Sequence, residues 1–170
     1  IASITGASAK AAQAEVDASV ERLFYYAGMA DKFEGRVHSP PARAVTLALN
    51  EPVGVVGVVA SDDAPLLGLI SLIAPALAMG NNVVLVPSER YPLVATDLYQ
   101  VLETSDLPPG AVNIVTGKAN ELAVVLARHE DVDGLWCVGE AELCRLAEAD
   151  SIGNLKRVWT NRGKAVDWSD

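Results

Sequence analysis

Cysteine is scarce in this sequence, and the two that are present form no disulfide framework. Cys137 and Cys144 are the only cysteines among 170 residues, too few to staple a domain of this size. Neither lies at a spacing that is typical of metal ligands, so we expect no metal site. We interpret both as reduced, buried residues, which favours a cytoplasmic protein because thiols stay reduced there.

The sequence also predicts neither a leader nor a membrane-spanning segment. Residues 1–10 hold no basic stretch followed by an apolar one, so no signal peptide is predicted. The apolar run Leu66 to Met79 is shorter than the roughly 20 residues that span a bilayer, which favours a buried helix. The chain does not begin with methionine, and we expect it to be a processed product or a piece of a longer polypeptide.

Positive charge is in short supply as well. The formal net charge is -9 and the pI is about 4.6, and such an acidic surface repels the phosphates of nucleic acids and anionic membranes. We therefore expect small molecules or proteins as partners, with no nucleic acid and no membrane. Apolar material is plentiful, since 51% of the residues are hydrophobic, which is enough to bury the core of one domain.

Helical and strand-like segments alternate along the chain. Residues 9–30 are predicted to form a long amphipathic helix, whose apolar positions are Val16, Val20, Leu23, Phe24 and Ala27. Residues 44–49 alternate as an extended segment. Strands are predicted at 53–60, 82–86, 112–115, 132–137 and 157–160, and helices at 65–78, 93–103, 120–128 and 140–148. Since strands that alternate with helices form right-handed crossovers, we predict a doubly wound, mostly parallel α/β sheet.

Ligands of such sheets bind at the carboxyl ends of the strands. The loops that follow residues 60, 86, 115 and 137 are therefore where a binding site is expected. None of these loops holds the dinucleotide fingerprint G-x-G-x-x-G, which disfavours a standard Rossmann dehydrogenase.

Four multi-residue motifs follow one another between Glu51 and Gly117: EPVGVV, APALAMGN, VVLVPSE and LPPGAVNIVTG. Their order and spacing resemble the aldehyde dehydrogenase superfamily, which carries E-P-x-G-V-V, A-P-A-L-A-x-G-N, V-V-L-K-P-S-E and L-P-P-G-V-x-N-V-x-x-G. Weaker similarity extends through LFYYAGMAD and HEDVDGLW. The resemblance thus covers nearly the whole chain.

The resemblance implies a Rossmann-like nucleotide-binding domain at residues 53–162. A helical segment at 1–35 and an oligomerisation-type β-flap with its linker at 36–52 precede this domain, and residues 163–170 form a tail that we expect to be frayed. In the family the flap helps to build dimers, and its partner strand lies near the far end of the polypeptide, beyond these residues. One edge of the flap should then be unpaired unless another segment or chain covers it.

The family's catalytic positions hold other residues in this chain. Asp63 stands where the resemblance places an asparagine that stabilises an oxyanion, and a carboxylate there would oppose that anion. Thr160 stands at the position of the glutamate that acts as general base, and a hydroxyl does not titrate near neutral pH. The chain stops before the region of the nucleophilic cysteine. Cys137 adjoins Trp136 and acids, and Cys144 lies in an apolar helical stripe, so we interpret both as core residues and expect no catalytic residue.

The cofactor-binding positions are only partly retained. The lysine that clamps the adenosine ribose in the family is Val86 here, while its companion Glu89 remains and can accept hydrogen bonds from ribose hydroxyls. Where the family has small residues that face the pyrophosphate at a helix start, Glu140 and Glu142 would repel phosphate. The residues that would make up a vestigial cofactor site are Ser61, Ser88, Glu89 and Gly117. We expect no tightly bound cofactor, and NAD(P) only if the chain belongs to an active enzyme.

Two charged groups have alternative interpretations. Asp62 and Asp63 precede a predicted helix, and we favour a capping role over a metal site or an acid–base pair. Arg157, Arg162 and Lys164 form a basic end that is either solvated or docks an acidic partner surface, and the composition does not decide between the two.

Three functions are compatible with these patterns. The leading hypothesis is a non-catalytic pseudoenzyme domain with a structural or assembly role, similar to the degenerate second repeat of large two-repeat family members. Its partners would be aldehyde dehydrogenase-type subunits or domains, in a homo-oligomer or within one chain. The alternative is the cofactor-binding fragment of an active NAD(P)-dependent aldehyde dehydrogenase that oxidises an aldehyde to a carboxylic acid. The third is a module that binds another nucleotide or a small acid in the crevice.

Overall fold

The computed structural model describes residues 1–169. The α-helices of this range are α1 (Ala2–Thr5), α2 (Ala9–Met29), α3 (Leu67–Ala78), α4 (Pro92–Glu103), α5 (Ala119–Arg128) and α6 (Ala141–Asp150), with a 3-10 turn at Ser151–Gly153. The strands are β1 (Arg36–His38), β2 (Thr46–Ala48), β3 (Val55–Val59), β4 (Asn82–Val86), β5 (Val112–Ile114), β6 (Gly134–Cys137) and β7 (Arg157–Thr160).

The larger sheet is parallel and has the strand order β5-β4-β3-β6-β7. Its register places Val59 beside both Val86 of β4 and Cys137 of β6. Strands β4 and β5 extend from β3 in one direction and β6 and β7 in the other, so the strand order reverses between β3 and β6. The predicted doubly wound, mostly parallel α/β fold is confirmed.

Helices cover both faces of this sheet, because the side chains of each strand alternate between the two faces. On β3, Val56 and Val58 belong to the core cluster around α3, whereas Val59 belongs to the cluster formed with α5 and α6. Helix α3 is buried on most sides because it lies between the sheet and α2. The apolar run is therefore a buried helix, as predicted. None of the helices in residues 1–169 is long and apolar enough to cross a membrane.

Helix α2 packs on α3 through a face that differs from the predicted one. Of the predicted apolar positions, Leu23 packs against the core, but Val20 is exposed and the side chain of Phe24 is 76% exposed. The contact face includes Arg22, which donates a hydrogen bond to Ser71 Oγ of α3 at 2.6 Å. The periodicity located the helix correctly but not its buried side, which combines Leu23 and Tyr26 with the polar contact of Arg22 to Ser71.

The N-terminus of α3 is capped from α2. Glu15 Oε1 accepts hydrogen bonds from Leu66 N at 2.8 Å and Leu67 N at 3.2 Å, which satisfies N–H groups that have no partner inside their own helix. The prediction that Asp62 and Asp63 cap this helix is wrong, since the cap residue is Leu66 and the Asp62 carboxylate accepts hydrogen bonds from Ser88 and from Arg90 N instead. The cap is provided by the carboxylate of Glu15, which is distant in the sequence, and not by the neighbouring aspartates.

The predicted extended segment at 44–49 contains β2, which forms an antiparallel hairpin with β1. The register pairs Arg36 with Ala48 and Val37 with Leu47. Strand β1 was not predicted, and it covers one edge of β2. The other edge has no strand partner within residues 1–169. Every residue of both strands is exposed, which leaves Val37 (73%) and Leu47 (58%) facing solvent.

The tail is packed rather than frayed. Val166 and Trp168 lie against the core cluster of α3, and the Trp168 ring occupies the space beside Gly68, where an added Cβ would lie 3.1 Å from it. The glycine leaves the room that this large ring needs. Val166 and Trp168 are therefore packed against the core, where a frayed end was expected.

Candidate functional site

A crevice of about 910 Å³ opens at the carboxyl ends of β3, β4, β6 and β7. Residues that follow these strands line it, together with the starts of α5 and α6 and the packed tail. Its position agrees with the rule that ligands of open parallel sheets bind where the strand order reverses. The lining includes five acidic residues, Asp62, Asp63, Glu89, Glu140 and Glu142, and two basic ones, Arg90 and Lys164.

The structure brings some of the predicted site residues together and leaves others apart. Ser61, Asp63 and Glu89 line the crevice, but Ser88, Gly117 and Thr160 do not. Gly117 is exposed on the loop after β5. The Thr160 hydroxyl donates a hydrogen bond to Glu148 Oε1 of α6 at 2.7 Å, so this side chain is engaged away from the crevice.

Asp62 and Ser88 form a hydrogen-bond network within the wall of the crevice. Ser88 is buried, and its hydroxyl donates to Asp62 Oδ1 at 2.6 Å. Arg90 N donates to the same carboxylate oxygen at 3.2 Å, and Tyr91 N donates to Ser88 Oγ at 2.9 Å. The hydroxyl of Ser88 therefore both donates and accepts hydrogen bonds within the fold.

Glu89 and Val86 are also engaged in the fold. Glu89 Oε2 accepts a hydrogen bond from Ala119 N at 2.8 Å and so caps the start of α5. Val86, which stands where the family resemblance places a lysine, is buried in the cluster of α5 and α6. One carboxylate of the predicted ribose clamp remains, and it already has a backbone donor.

The start of α6 lines the crevice and carries two carboxylates there. Glu140 and Glu142 both line the opening, and hydrogen bonds from Arg145 lower the pKa of the Glu142 carboxyl, which keeps it ionised. Gly163 covers the same helix start, because a Cβ on this glycine would lie 2.6 Å from Ala141 N. The turn after β7 thus closes over the first residue of α6.

Asn161 holds this turn in place, and the sequence reasoning did not find it. Its Oδ1 accepts hydrogen bonds from Gly139 N at 3.0 Å and from Cys144 Sγ at 3.0 Å, and its Nδ2 donates to Lys164 O at 2.7 Å. The side chain therefore joins the loop after β6, helix α6 and the turn after β7. A single asparagine after a strand carries no sequence signal for such a role.

The two cysteines lie under the floor of the crevice. Both are buried and free, as predicted. Burial, with smaller contributions from Cys144 and Glu148, raises the pKa of the Cys137 thiol to about 12. This thiol therefore stays protonated near neutral pH, and the thiolate is the nucleophilic form. Within residues 1–169 no group of three or more histidine, cysteine, aspartate or glutamate side chains is placed to hold a metal ion.

A parallel sheet whose order reverses beside a crevice defines a doubly wound α/β domain of the nucleotide-binding type. The sequence matches the aldehyde dehydrogenase family over residues 1–164. The chain therefore belongs to the aldehyde dehydrogenase family, as its motifs predicted.

Relatives and solved structures agree with this assignment. The chain is 35% identical over 150 residues to retinaldehyde dehydrogenase 3 of Homo sapiens, covering 88% of this chain and 29% of the relative. It is 33% identical to the NADP/NAD-dependent aldehyde dehydrogenase PuuC of Escherichia coli (strain K12), covering 88% and 30%. The chain thus spans less than a third of the length of these relatives.

The fold is equally close to structures of the family. A betaine aldehyde dehydrogenase of Staphylococcus aureus in complex with NAD+ superimposes with a TM-score of 0.87 and 30% sequence identity, covering 92% of this chain and 32% of that one. PnpE from Pseudomonas sp. WBC-3 in complex with nicotinamide adenine dinucleotide gives a TM-score of 0.83 and 32% identity, covering 86% and 30%.

Proposed function

We propose that this chain is a non-catalytic domain of the aldehyde dehydrogenase family, a pseudoenzyme module with an assembly role inside a larger aldehyde dehydrogenase. The catalytic positions of the family support this proposal. Asp63 places a carboxylate in the crevice, Thr160 is bonded to Glu148, and Cys137 is a buried thiol with a raised pKa. No side chain among these is suited to act as oxyanion donor, base or nucleophile.

The start of α6 is the observation that carries the proposal. A dinucleotide pyrophosphate needs accessible N–H groups at a helix start and no competing negative charge. Here Glu140 and Glu142 flank the helix start, and Gly163 covers its first residue. The residues present do not fit the anionic part of NAD(P), so we expect no tightly bound cofactor.

The exposed hairpin of β1 and β2 supports the assembly role. Its apolar side chains Val37 and Leu47 are exposed, and one edge of β2 has no strand partner in the described part of the chain. Such surfaces are typical of contacts with other subunits or domains. We infer that its partners are aldehyde dehydrogenase-type subunits or domains, in a homo-oligomer or within one chain. We propose that the module comprises a helical segment (1–35), the β-flap with its linker (36–52), the nucleotide-binding-like domain (53–162) and a tail (163–170). A cytoplasmic location is part of the proposal, supported by the free cysteines.

A second function is the cofactor-binding part of an active NAD(P)-dependent aldehyde dehydrogenase. Two observations favour it. Relatives and neighbours are described as NADP/NAD-dependent or as complexes with NAD+, and Glu89 retains a carboxylate in the crevice. Because the chain spans less than a third of its relatives, catalytic groups from elsewhere would complete such an enzyme.

Calorimetric titration of the chain with NAD and with NADP separates the two functions. We expect no saturable heat up to about 1 mM cofactor, because two carboxylates oppose the pyrophosphate. The double variant Glu140→Gln with Glu142→Gln should bind more tightly than the unmodified chain. The matched control is Asp97→Asn with Glu103→Gln, two exposed acids outside the crevice, which should change nothing. Micromolar binding by the unmodified chain would contradict the proposal.

Sedimentation of the same sample tests the assembly role. We expect self-association at micromolar concentration, and the double variant Val37→Asp with Leu47→Asp should shift the chain to monomers, since it buries two charges in an apolar contact. Val125→Asp on α5, a residue as exposed as Leu47, serves as the control and should leave the association unchanged. A strictly monomeric unmodified chain counts against assembly through copies of itself.

A further inference from the structure

Residues 164–168, which we call the strap, form one wall of the crevice and connect its two helical sides. Just before the strap, Gly163 lies against the start of α6, where a Cβ on this glycine would be 2.6 Å from Ala141 N. At the other end of the strap, the Trp168 ring packs beside Gly68 in the first turn of α3. Helices α3 and α6 cover opposite faces of the sheet. The strap therefore runs past the carboxyl ends of the strands from one helical layer to the other.

Hydrogen bonds fix the α6 end of the strap. Asn161 Nδ2 donates to Lys164 O at 2.7 Å, and Lys164 N donates to Asn161 O at 3.0 Å. Between them, Arg162 and Gly163 have φ angles of 52° and 71°, which make the turn tight and place the glycine against α6. Asn161 also accepts a hydrogen bond from Gly139 N, so this end is joined to the loop after β6.

Apolar contacts alone hold the α3 end of the strap. Within residues 1–169, no backbone group of residues 165–168 has a hydrogen-bond partner. Val166 and Trp168 pack against the core cluster of α3. The indole Nε1 of Trp168 is buried and has no partner among the described residues, and a buried unpaired donor opposes the packing of its own ring. The α3 end is therefore the weaker of the two.

Release of Trp168 would open the crevice on the side of the loop after β3. Asp63 O and the Trp168 ring both lie about the same point beside Gly68, at 3.2 Å and 3.1 Å from an added Cβ, so the ring adjoins this loop. Ser61 of the same loop also lines the crevice. The strap contributes no hydrogen bond to the five-stranded sheet, so its release does not require the sheet to unfold.

We propose that the strap is a gate, which closes the crevice while Trp168 is packed on α3 and opens about the turn at Gly163 while the sheet stays folded. The open and closed forms are two states of one folded chain, and a ligand or partner segment that enters beside Ser61 selects the open one. Asn161 keeps the hinge in place in both. The gate controls access to the crevice whether or not the chain binds NAD(P), and so goes beyond the proposed function.

Hydrogen exchange of the Trp168 indole N–H tests the opening. The signal is followed by NMR on the 170-residue chain and assigned with Trp168→Phe. We expect slower exchange than in free tryptophan, because Nε1 is buried, and faster exchange than the backbone amides of β3, which open only with the whole domain. Exchange as fast as in free tryptophan would show that the strap is not closed. Exchange as slow as that of β3 would show that it does not open, and either result overturns the proposal.

Thiol labelling tests the control of access. Ser61→Cys places a reactive group in the crevice, and its reaction with a maleimide should become about tenfold faster or more when Trp168→Ala is added, because the closed state loses its main contact. Trp168→Phe keeps an aromatic ring on Gly68 and should leave the rate close to that of Ser61→Cys alone. Trp159→Ala, the matched change at an indole outside the crevice, should also leave it unchanged.

The native thiols distinguish opening of the strap from a general loss of stability. Cys137 and Cys144 are buried, and in Trp168→Ala with Ser61 intact they should react as slowly as in the unmodified chain. The proposal is overturned if Ser61→Cys reacts equally fast with and without Trp168, or if the native thiols accelerate to the same extent. Should Trp168→Ala fail to fold, the indole exchange of the unmodified chain still decides. None of these outcomes depends on the cofactor titration or on the hairpin variants.

Discussion

Gly163→Ala should lower the free energy of unfolding by about 3 kcal/mol. Gly163 has φ of +71°, a conformation that costs an L-residue about 1 kcal/mol or more. The new methyl group would also lie 2.6 Å from Ala141 N and 2.7 Å from Ala141 Cβ, so the turn or the start of α6 must shift. The backbone strain and the steric clash arise at the same residue, and each destabilises the folded chain.

Urea denaturation followed by circular dichroism measures this loss. Gly153→Ala is the matched control, because nothing lies within 4 Å of the methyl group that it would add and its φ is not in the left-handed region. We expect its free energy of unfolding to change by less than about 1 kcal/mol. Equal losses in the two variants would show that the contact between Gly163 and α6 does not stabilise the fold.

Asn161→Ala should destabilise the chain by about 2 kcal/mol. The substitution removes the acceptor of Gly139 N and of the Cys144 thiol, and the donor to Lys164 O. These groups lie in a partly buried junction, where leaving a hydrogen-bonding group unsatisfied costs more than an exposed bond contributes. The loop after β6, helix α6 and the turn after β7 lose their common contact.

Thiol labelling provides the second measurement for this variant. Cys144 is buried in the native chain, and its reaction with a maleimide should become faster when Asn161 is replaced, since the junction around it opens more often. Asn120→Ala alters another asparagine that lines the crevice and should leave both stability and labelling near native values. If Cys144 remains equally protected in Asn161→Ala, the junction is held by other contacts.

The two variants address a feature that no local pattern predicted. Strands at 82–86 and 157–160 were placed at their observed bounds, because strongly apolar or β-branched segments between turn residues define themselves locally. The family motifs likewise located the crevice at the ends of those strands. Strand β1 and the short helix α1 escaped prediction because they show almost no apolar pattern: β1 holds a single apolar residue, Val37, and α1 buries none of its residues.

The orientation of helix α2 and the cap of α3 were beyond the reach of the sequence for a different reason. Glu15 and Leu66 are 51 residues apart, and a carboxylate on a helix reads as a solvated residue unless its partner is known. The local candidates, Asp62 and Asp63, had the right residue types for capping. Asp62 instead bonds Ser88, because the strand ends bring that hydroxyl closer than the helix start.

By itself the sequence determined the alternation of strands and helices and the family, since periodicity and motifs are properties of short segments, and it predicted that the family's catalytic positions hold other residues. Only the tertiary structure decided which residues around the crevice are hydrogen-bonded or packed within the fold itself. Asp62 accepts a hydrogen bond from Ser88, and Glu89 caps α5. Gly163 and Asn161 hold the turn after β7 against the start of α6. The physical reason is that hydrogen bonds and steric contacts between distant residues depend on distances that folding alone sets.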